Sequence, residues 1–459
     1  MPEHEQKLGL QGALKATTRI GGSGEPKIGP EEFMSVAERF GFSESALARI
    51  REIVEGEDWG EGPFLANYYA NVPETKVRAF ERVAREVFGT RYAMGVSSGS
   101  AALHAAFVAV GVGPGTEVIC PAVGFIATAA AVVMAGGVPV FCDVDESLHM
   151  DARKLAGLIN GRTVAVAPTH VMGGVADMEP ILAVAAEHSL AVVEDCAQSC
   201  GATYRGKHVG TLGDVGCFSI SAYKIVGGGE GGLILTDGEL IHERASQMCE
   251  AGGLWRPDRF APPRYAGELF CGTNYRMSEL EAAVDVVQLG KAREVVQRFN
   301  RVKRRVLSKL RPYREITPQK INDLDGEVGY TLRFYPESVE LGRRIVDGLQ
   351  AEGIASGMRG RNAAPDWHIY HDMYPVVLKG SATPDACASY CPHYRERGGN
   401  IEYHQGDCPV ADDLFERVIT IQLNQWYAEA DCDALADAIN RVLSDCCKPD
   451  DSATPWIPA

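Results

Sequence analysis

The chain of 459 residues lacks the features that define several broad classes of protein. No run approaches the ~18 uncharged apolar residues that a membrane-spanning helix needs. The first residues, Met-Pro-Glu-His-Glu-Gln-Lys, contain no apolar core of a signal peptide. Positive charge is not in excess, since the net charge is −16 at pH 7, which disfavours nucleic acid or an anionic membrane as the main partner. We therefore predict a cytoplasmic protein with no nucleic-acid and no membrane partner.

Cysteine spacings of the zinc-binding type are also missing. The thirteen cysteines are odd in number, and several, such as Cys120 and Cys142, lie in apolar runs where a free thiol behaves as a small hydrophobe. The group nearest to a metal site consists of Cys387, Cys391, His393, His404 and Cys408. Because this group contains no Cys-x2-Cys pair, we predict no metal ion.

Nucleotide-binding loops are absent as well. The glycine-rich run 227–232 is followed by a predicted strand, so it does not form the Gly-x-Gly-x-x-Gly turn that opens a helix in dinucleotide-binding domains. The chain also has no Gly-x4-Gly-Lys-Ser/Thr phosphate loop. Nicotinamide and nucleoside triphosphate cofactors are therefore weakly supported.

The sequence does contain an alternation of strand and helix patterns, which is typical of a doubly wound α/β domain. The length exceeds the ~250–300 residues at which one core stops growing, which favours two domains. Strands are predicted at 94–97, 117–120, 138–143, 164–169, 190–194, 215–220, 232–236, 328–335 and 418–423. Helices are predicted at 30–55, 74–88, 100–110, 125–135, 152–159, 178–188, 277–310, 338–352 and 428–444, with 1–27 as a loose arm and 354–417 as an irregular segment. The predicted organisation is an N-terminal arm and helix over 1–60, a large α/β domain over 61–310 and a smaller α+β domain over 311–459.

Two residues that can carry chemistry follow predicted strands in the stretch 190–236. Asp195 ends a buried strand, where open α/β sheets place their ligand crevice and where a carboxylate needs a cationic or donor partner. A protonated pyridine nitrogen suits this position, and an aspartate that caps the next turn suits it equally. Lys224 alone is most simply a surface lysine on a turn, but a lysine and a carboxylate at one crevice are what a Schiff-base cofactor site requires.

A third motif, Ser-Ser-Gly-Ser-Ala-Ala-Leu at 97–103, stands between a predicted strand and a predicted helix. Backbone N–H groups at a helix N-terminus bind anions, and glycine permits close approach. An ordinary serine N-cap explains the motif alone equally well. Together with Asp195 and Lys224, however, the motif favours a cofactor with a phosphate group.

These motifs, in combination, resemble the DegT/DnrJ family of pyridoxal-phosphate sugar aminotransferases, which have the fold-type-I architecture. The resemblance runs from about residue 62 to 289 and more loosely from 418 onward. Its further motifs are Pro-Ala-Val-Gly-Phe-Ile-Ala-Thr at 121–128, His-Val-Met-Gly at 170–173, Glu-Asp-Cys-Ala-Gln at 194–198, Gly-Asp-Val-Gly-Cys-Phe-Ser at 213–219 and Asn-Tyr-Arg-Met-Ser-Glu-Leu at 274–280. The resemblance implies a large three-layer α/β/α domain with a mostly parallel sheet, a smaller α+β C-terminal domain, and pyridoxal 5'-phosphate (PLP, with its amine form PMP) as the cofactor.

The resemblance also implies roles for individual residues. Lys224 would form the Schiff base with the cofactor, and Asp195 would pair with the pyridine nitrogen. Gln198 would lie near the phenolic oxygen, and Phe125 would stack on the ring.

The phosphate group and the oligomeric state are implied in the same way. The loop that holds Ser98, Gly99 and Ser100, together with Ser219, would bind the phosphate. Asn274 belongs to a loop that reaches the phosphate of the neighbouring subunit in the family, which implies a homodimer with shared sites.

Substrate contacts are the least defined part of the prediction. The run after Lys224 is similar to that of a subgroup acting on cyclitol ketones and certain higher-carbon sugars, and the region 355–417 is longer than in compact members. The candidate substrate residues are His170, Tyr223, Arg359, Trp367 and His368.

The predicted activity is a ping-pong transamination from an amino acid, glutamate or glutamine by resemblance, to a keto-sugar or a cyclitol ketone. A sugar dehydratase of the same fold is an alternative, although such relatives replace the Schiff-base lysine with histidine and this chain keeps Lys224. A catalytically silent PLP-binding regulator or partner subunit is the other alternative, although the motifs show no loss of a chemical group.

Overall fold

The computed structural model describes residues 26–67, 72–253, 262–361, 363–383 and 386–457. Contacts divide the chain into two compact units, residues 1–73 and residues 74–459. Almost all of the loose arm predicted for 1–27 lies outside the described residues.

The first unit contains two short helices, α1 (Pro30–Glu38) and α2 (Glu44–Glu55), where the sequence predicts helical spacing without a break. The interruption has a local cause. Gly41 has a φ of 71°, in the left-handed region that glycine favours, so the chain turns there. Ser43 then starts α2, because its hydroxyl accepts the backbone N–H of Ala46 as an N-cap.

The second unit is built on a seven-stranded sheet in the order β1-β9-β8-β5-β4-β2-β3. The strands of this part of the chain are β1 (Tyr92–Val96), β2 (Glu117–Pro121), β3 (Val138–Cys142), β4 (Thr163–Val166), β5 (Ala191–Asp195), β8 (Val215–Ser219) and β9 (Gly232–Thr236), with β6 (Thr203–Tyr204) and β7 (Lys207–His208) forming a separate small ribbon. The pairings from β8 through β5, β4 and β2 to β3 are parallel, whereas β9 runs antiparallel to both β8 and β1. The predicted pairing of 215–220 with 232–236 is therefore confirmed.

Helices cover both faces of this sheet. They are α3 (Lys76–Phe88), α4 (Gly99–Ala109), α5 (Ala127–Met134), α6 (Ala152–Leu155), α7 (Met178–Glu187), α8 (Glu239–Cys249) and α9 (Glu279–Leu307). Neighbouring strand residues join opposite cores: Val193 and Cys217 pack with α4, α5 and α8, whereas Val192 and Phe218 pack with α3, α7 and α9. Strands buried on both faces explain the nearly continuous apolar runs in the sequence, and the predicted three-layer α/β/α fold is confirmed.

A second, antiparallel sheet forms nearer the C-terminus, in the order β10-β11-β13-β12. Its elements are β10 (Ile316–Pro318), β11 (Thr331–Pro336), α10 (Val339–Ala351), β12 (Ser356–Met358), β13 (Ile419–Gln422) and α14 (Glu429–Cys446). Apolar side chains of α10, α14 and the end of α9 pack against it as a separate core. The smaller α+β part is thus present, while the exact domain bounds stay a prediction.

In its described residues, the segment predicted to be irregular contains three α-helices, α11 (Tyr374–Val377), α12 (Pro392–Glu396) and α13 (Pro409–Arg417). Part of it returns to the large sheet: Ile369, Tyr370 and Met373 are buried in the core beside α4 and α5. An isolated antiparallel bridge joins Ile369 to Val123, just after β2. Across the described ranges, no helix combines the length and apolarity needed to cross a membrane.

Candidate active site

A cavity of about 1860 Å³ opens at the carboxyl ends of β5 and β8, where a parallel sheet offers its ligand crevice. All of the predicted cofactor residues except Asn274 line it: Ser98, Gly99, Ser100, Phe125, Asp195, Gln198, Ser219 and Lys224. Residues of the smaller sheet, including Thr331, Arg333 and Gln422, close its other side. The fold therefore brings together groups that lie more than a hundred residues apart in the sequence.

Asp195 is the last residue of β5 and is only 2% exposed. Two donors hold its carboxylate: the hydroxyl of Thr128 at 2.5 Å from Oδ2 and the backbone N–H of Ala197 at 3.0 Å from Oδ1. Each carboxylate oxygen thus has a donor in a buried place, where an unpaired carboxylate would be costly. The sequence could not name the donor, yet Thr128 is the last residue of the motif 121–128.

Lys224 lies in the loop between β8 and β9 and is partly exposed at the cavity wall. Burial lowers the pKa of its amine, and the negative charge of Asp195 opposes that shift. A lowered pKa increases the share of neutral amine, which is the form that attacks a carbonyl carbon or accepts a proton. The environment of Lys224 therefore suits a nucleophile more than an ordinary surface lysine.

The N-terminus of α4 forms one end of the cavity. Ser98 caps this helix, since its hydroxyl accepts the N–H of Ala101 at 3.0 Å. Gly99 has no room for a side chain, because a β-carbon there would lie 2.7 Å from that of Ser219. The first N–H groups of a helix have no carbonyl partner within the helix, so this end attracts an anion.

Gln198 and Phe125 occupy two further sides of the cavity. The side-chain oxygen of Gln198 accepts the backbone N–H of Met172 at 2.7 Å, which fixes the orientation of the amide. The ring of Phe125 is 42% exposed and lies 5.3 Å from the imidazole of His368, so one face stays open to the cavity.

Four of the five candidate substrate residues line the same cavity: Tyr223, Arg359, Trp367 and His368. Tyr223 is fully exposed, whereas Arg359 is largely buried and donates to Oδ2 of Asp372 at 2.5 Å. The imidazole of His368 hydrogen-bonds Asp366 at 2.8 Å. These residues supply aromatic faces and hydrogen-bonding side chains to the cavity wall.

His170, the fifth candidate, does not line the cavity. It is completely buried, with Nε2 3.1 Å from Oε2 of Glu194 and Nδ1 accepting the N–H of Ala176. Glu194 also accepts three backbone N–H groups of residues 210–213, so the pair secures the turn before β8. A substrate contact by His170 stays a prediction.

His170, Glu194 and Cys196 are also the one trio of potential metal ligands whose ligand atoms lie within 4.8 Å of one another among the described residues. Hydrogen bonds already occupy both nitrogens of His170 and the carboxylate of Glu194, as a structural network would require. The cysteines and histidines between 387 and 408 do not converge in this way in the described chain.

Asn274 lies outside the cavity, on an exposed stretch before α9. Its side-chain oxygen accepts the backbone N–H of Arg276 at 3.1 Å, and its backbone pairs with Glu250. The role implied for it, in the site of a second subunit, stays a prediction.

One functional candidate, Arg333, was not predicted from the sequence. Arg333 of β11 lines the cavity but is only 4% exposed, and one of its terminal nitrogens donates to the carbonyl of Met172 and to the hydroxyl of Thr331. Its Nε has no acceptor among the described residues. An arginine in an alternating strand pattern usually faces solvent, so nothing in the sequence indicates burial.

The model of one protein family matches residues 66–374, which is more than half of the chain and includes every cofactor residue named above. The chain belongs to the DegT/DnrJ/EryC1/StrS aminotransferase family. The family is PLP-dependent, and the chain is therefore a PLP-dependent aminotransferase.

Named relatives act on sugars and cyclitols. GDP-perosamine synthase of Caulobacter vibrioides is 36% identical over 310 residues, covering 65% of this chain and 78% of that protein. L-glutamine:2-deoxy-scyllo-inosose aminotransferase of Streptomyces lividus is 30% identical over 414 residues, covering 87% of this chain and 92% of that protein. Among solved structures, an aminotransferase from Psychrobacter cryohalolentis matches with a TM-score of 0.67 and 25% identity, covering 83% of this chain and 93% of that chain.

The cavity fits the cofactor of this family on three independent counts. The closely packed Gly99 and the open end of α4 suit a phosphate group, and the two donors on Asp195 orient a buried carboxylate that suits a cationic ring nitrogen. The lowered pKa of Lys224 suits an amine that binds an aldehyde.

Proposed function

We propose that this aminotransferase moves an amino group from glutamate or glutamine to a keto-sugar or a cyclitol ketone, with Lys224 as the lysine that holds the cofactor. One observation carries the proposal: Asp195 and Lys224 line a single cavity, together with the N-terminus of α4. Neither the dehydratase nor the silent-binder alternative gains support from a feature of the cavity.

Each residue has a separate task in this proposal. The first turn of α4 and Ser219 bind the phosphate, while Phe125 offers a flat apolar face to the ring. Asp195, held by Thr128, keeps a proton at the pyridine nitrogen. When bound, PLP supplies an electrophilic aldehyde carbon and a ring that accepts the electrons of the bond broken at the substrate carbon.

Lys224 also provides the acid–base step. Burial lowers the pKa of its amine, so that the amine accepts a proton from the amino-donor carbon and returns one to the acceptor carbon. Gly227, Gly228 and Gly229 follow closely in the loop, where the neighbouring atoms leave no room for a β-carbon.

The donor and the acceptor rest on the relatives and on the character of the cavity wall. A relative that covers most of the chain is named for L-glutamine and a cyclitol ketone, and another is named for a GDP-linked aminosugar. Trp367, His368 and Arg359 provide stacking surfaces and hydrogen-bond donors, which suit a polyhydroxylated ring.

A homodimer belongs to the same proposal. Asn274 lies outside the cavity of its own chain, on an exposed stretch, so a role at the phosphate requires the site of a second copy. Light scattering or sedimentation of the purified protein measures the oligomeric state directly, and a monomer would contradict a shared site.

The test of the central role replaces Lys224 with alanine. We expect the variant to lose the visible absorbance of lysine-bound pyridoxal, because no other primary amine is proposed to hold the aldehyde. Lys291→Ala, at an exposed position of α9, serves as the matched control and should keep the wild-type spectrum. An unchanged spectrum in Lys224→Ala would remove this lysine from its role.

The second arm of the experiment addresses the substrates. Wild-type protein loaded with pyridoxamine phosphate is mixed in turn with keto-sugars, cyclitol ketones and 2-keto acids, and return of the aldehyde spectrum identifies an acceptor. Incubation of the PLP form with glutamate or glutamine, followed by the opposite spectral change, identifies the donor.

A further inference from the structure

The loop between β8 and β9 has two arms. The first arm, residues 220–224, carries Lys224, and the second, the glycine arm, consists of residues 227–231. Backbone hydrogen bonds tie the two arms together: the N–H of Ile220 donates to the carbonyl of Gly231 at 2.8 Å, and the N–H of Ala222 donates to that of Gly229 at 2.9 Å. Whatever supports the glycine arm therefore also positions the arm that holds Lys224.

The glycine arm rests on two carboxyl groups of α9. A β-carbon at Gly228 would lie 2.5 Å from Oδ1 of Asp285, and one at Gly229 would lie 2.7 Å from Oε2 of Glu281. Gly231 is also close, with its missing β-carbon 3.2 Å from Oδ2 of Asp285. The two acidic residues stand one helical turn apart and face the loop from the same side of α9.

These carboxyl groups have few partners. Asp285 is 0% exposed, and neither of its oxygens has a donor among the described residues. Oε1 of Glu281 is buried without a donor as well, although the backbone N–H of Glu230 binds the Glu281 carboxylate. The two side chains lie within hydrogen-bonding reach of each other.

Two adjacent negative charges in such a place are unfavourable, because burial removes Asp285 and one oxygen of Glu281 from solvent and the charges repel each other. Burial first, and then the charge of Glu281, raise the pKa of Asp285 to about 8. Burial also raises the pKa of Glu281, while the hydrogen bonds from the backbone of Glu230 and from Asp285 oppose that shift and the charge of Glu230 adds slightly to it. In the described chain, Glu230 is the one charged group outside α9 that acts on the pair.

We propose that Glu281 and Asp285 share one proton, and that this carboxyl–carboxylate pair positions the loop that carries Lys224. The O–H of Asp285 donates to the carboxylate of Glu281, which in turn accepts the N–H of Glu230. One negative charge remains, and a backbone donor stabilises it. The link to catalysis rests on the proposed role of Lys224, whereas the shared proton itself does not.

The pair makes the stability depend on pH in a defined direction. The pKa of Asp285 is about 8 in the folded protein, well above the ordinary value of about 3.9 that applies to the unfolded chain. The folded state therefore holds a proton that the unfolded state has released. The stabilisation that this proton contributes is fully present below the pKa of Asp285 in the unfolded chain. It is lost as the pH rises through the pKa of Asp285 in the folded protein.

Asp285→Asn tests the proposal, because an amide has the shape of the protonated acid and cannot ionise. The wild-type melting temperature should fall between about pH 6 and about pH 9, and the fall should be clearly smaller in Asp285→Asn. Asp347→Asn, at an exposed position of α10, is the matched control and should show the full fall. Equal slopes in wild type and Asp285→Asn would overturn the proposal.

A direct readout covers the case in which Asp285→Asn does not fold. The wild type at about pH 6 should show the infrared carbonyl band of a buried carboxylic acid, and Glu281→Gln should shift this band by changing its acceptor. Absence of the band overturns the proposal. The proposal is also overturned if Mg²⁺ or K⁺, added at about pH 9, raises the wild-type melting temperature to its value at about pH 6. A cation would then occupy the place of the proton.

A final measurement separates this proposal from the proposed function. PLP binding is followed by absorbance at both pH values in wild type and in Asp285→Asn. We expect affinity to weaken at high pH in the wild type and to change less in the variant. If Lys224→Ala refutes the role of that lysine, the pH slopes and the infrared band still test the shared proton on their own.

Discussion

Asp195 and Asp285 are both buried aspartates close to the loop of Lys224, and their surroundings are opposite. Asp195 accepts two hydrogen bonds, from Thr128 and from the backbone of Ala197. Asp285 accepts none in the described chain and faces a second carboxyl group instead. Their exposed fractions, 2% and 0%, hardly differ.

The comparison teaches that burial alone does not decide the charge of a carboxyl group. Donors that point at the oxygens favour the ionised form, and a neighbouring carboxylate favours the neutral form. The carboxyl end of β5 and one face of α9 thus hold two buried aspartates with different hydrogen-bond partners. The substitutions below test whether the two sites differ as their surroundings indicate.

The largest effect should follow replacement of Asp195 by asparagine. The amide keeps the shape but cannot hold a proton at the ring nitrogen, so we expect transamination to slow by roughly 10²–10⁴-fold. Single-turnover kinetics with a saturating amino donor measures the loss. Asp285→Asn should retain most of the activity near neutral pH, because the native group is already neutral there; similar losses in both variants would contradict the comparison.

A smaller effect, on stability, should follow Gly228→Ala. The φ of Gly228 is not in the positive region that only glycine favours, so the cost of alanine arises from contact alone. The added β-carbon would lie 2.5 Å from Oδ1 of Asp285 and 2.9 Å from a methyl group of Val284. Overpacking of this kind costs about 1–3 kcal/mol in the free energy of unfolding.

The double variant Gly228→Ala/Asp285→Ala sharpens this test. Removing the carboxyl group should recover part of the loss, so the two changes together should destabilise less than their sum in urea unfolding. Strict additivity would mean that the loop does not rest on Asp285.

An effect of similar size, on activity, should follow Thr128→Val, which removes one donor from Asp195 and nearly keeps the volume of the side chain. A hydrogen bond to a charged group contributes about 1.5–3 kcal/mol, so we expect roughly a tenfold or greater loss in kcat/KM. Thr128→Ser retains the hydroxyl and should retain the activity. A Thr128→Val enzyme with full activity would show that the backbone donor of Ala197 is enough.

The sequence predicted the Asp195 side of this comparison and missed the Asp285 side. Asp195 and Lys224 stand next to apolar strand runs, so their positions at the sheet edge follow from the topology. Asp285 lies inside a long helix, where periodicity tells which side is buried but not which distant loop covers it. Only the register of α9 against the loop reveals the acidic pair.

The segment after residue 354 shows a different limit of prediction. Its proline, histidine and aromatic residues suggest irregular structure, and the short helices there form because tertiary contacts hold them. Burial of Ile369 and Tyr370 against the large sheet depends on contacts with residues far earlier in the chain. Local patterns carry no information about such partners.

The bridge between Val123 and Ile369 affects how the substrate range of this enzyme can change. Backbone N–H groups of Gly124 and Ile126 donate to the carbonyls of His368 and Trp367, at 3.0 and 2.9 Å. Phe125 and the cavity residues Trp367 and His368 thus lie on two strands of one hydrogen-bonded ribbon. A chimaera that imports residues 363–377 from a relative with another acceptor would need the matching 121–128 segment as well, since backbone hydrogen bonds join the two segments.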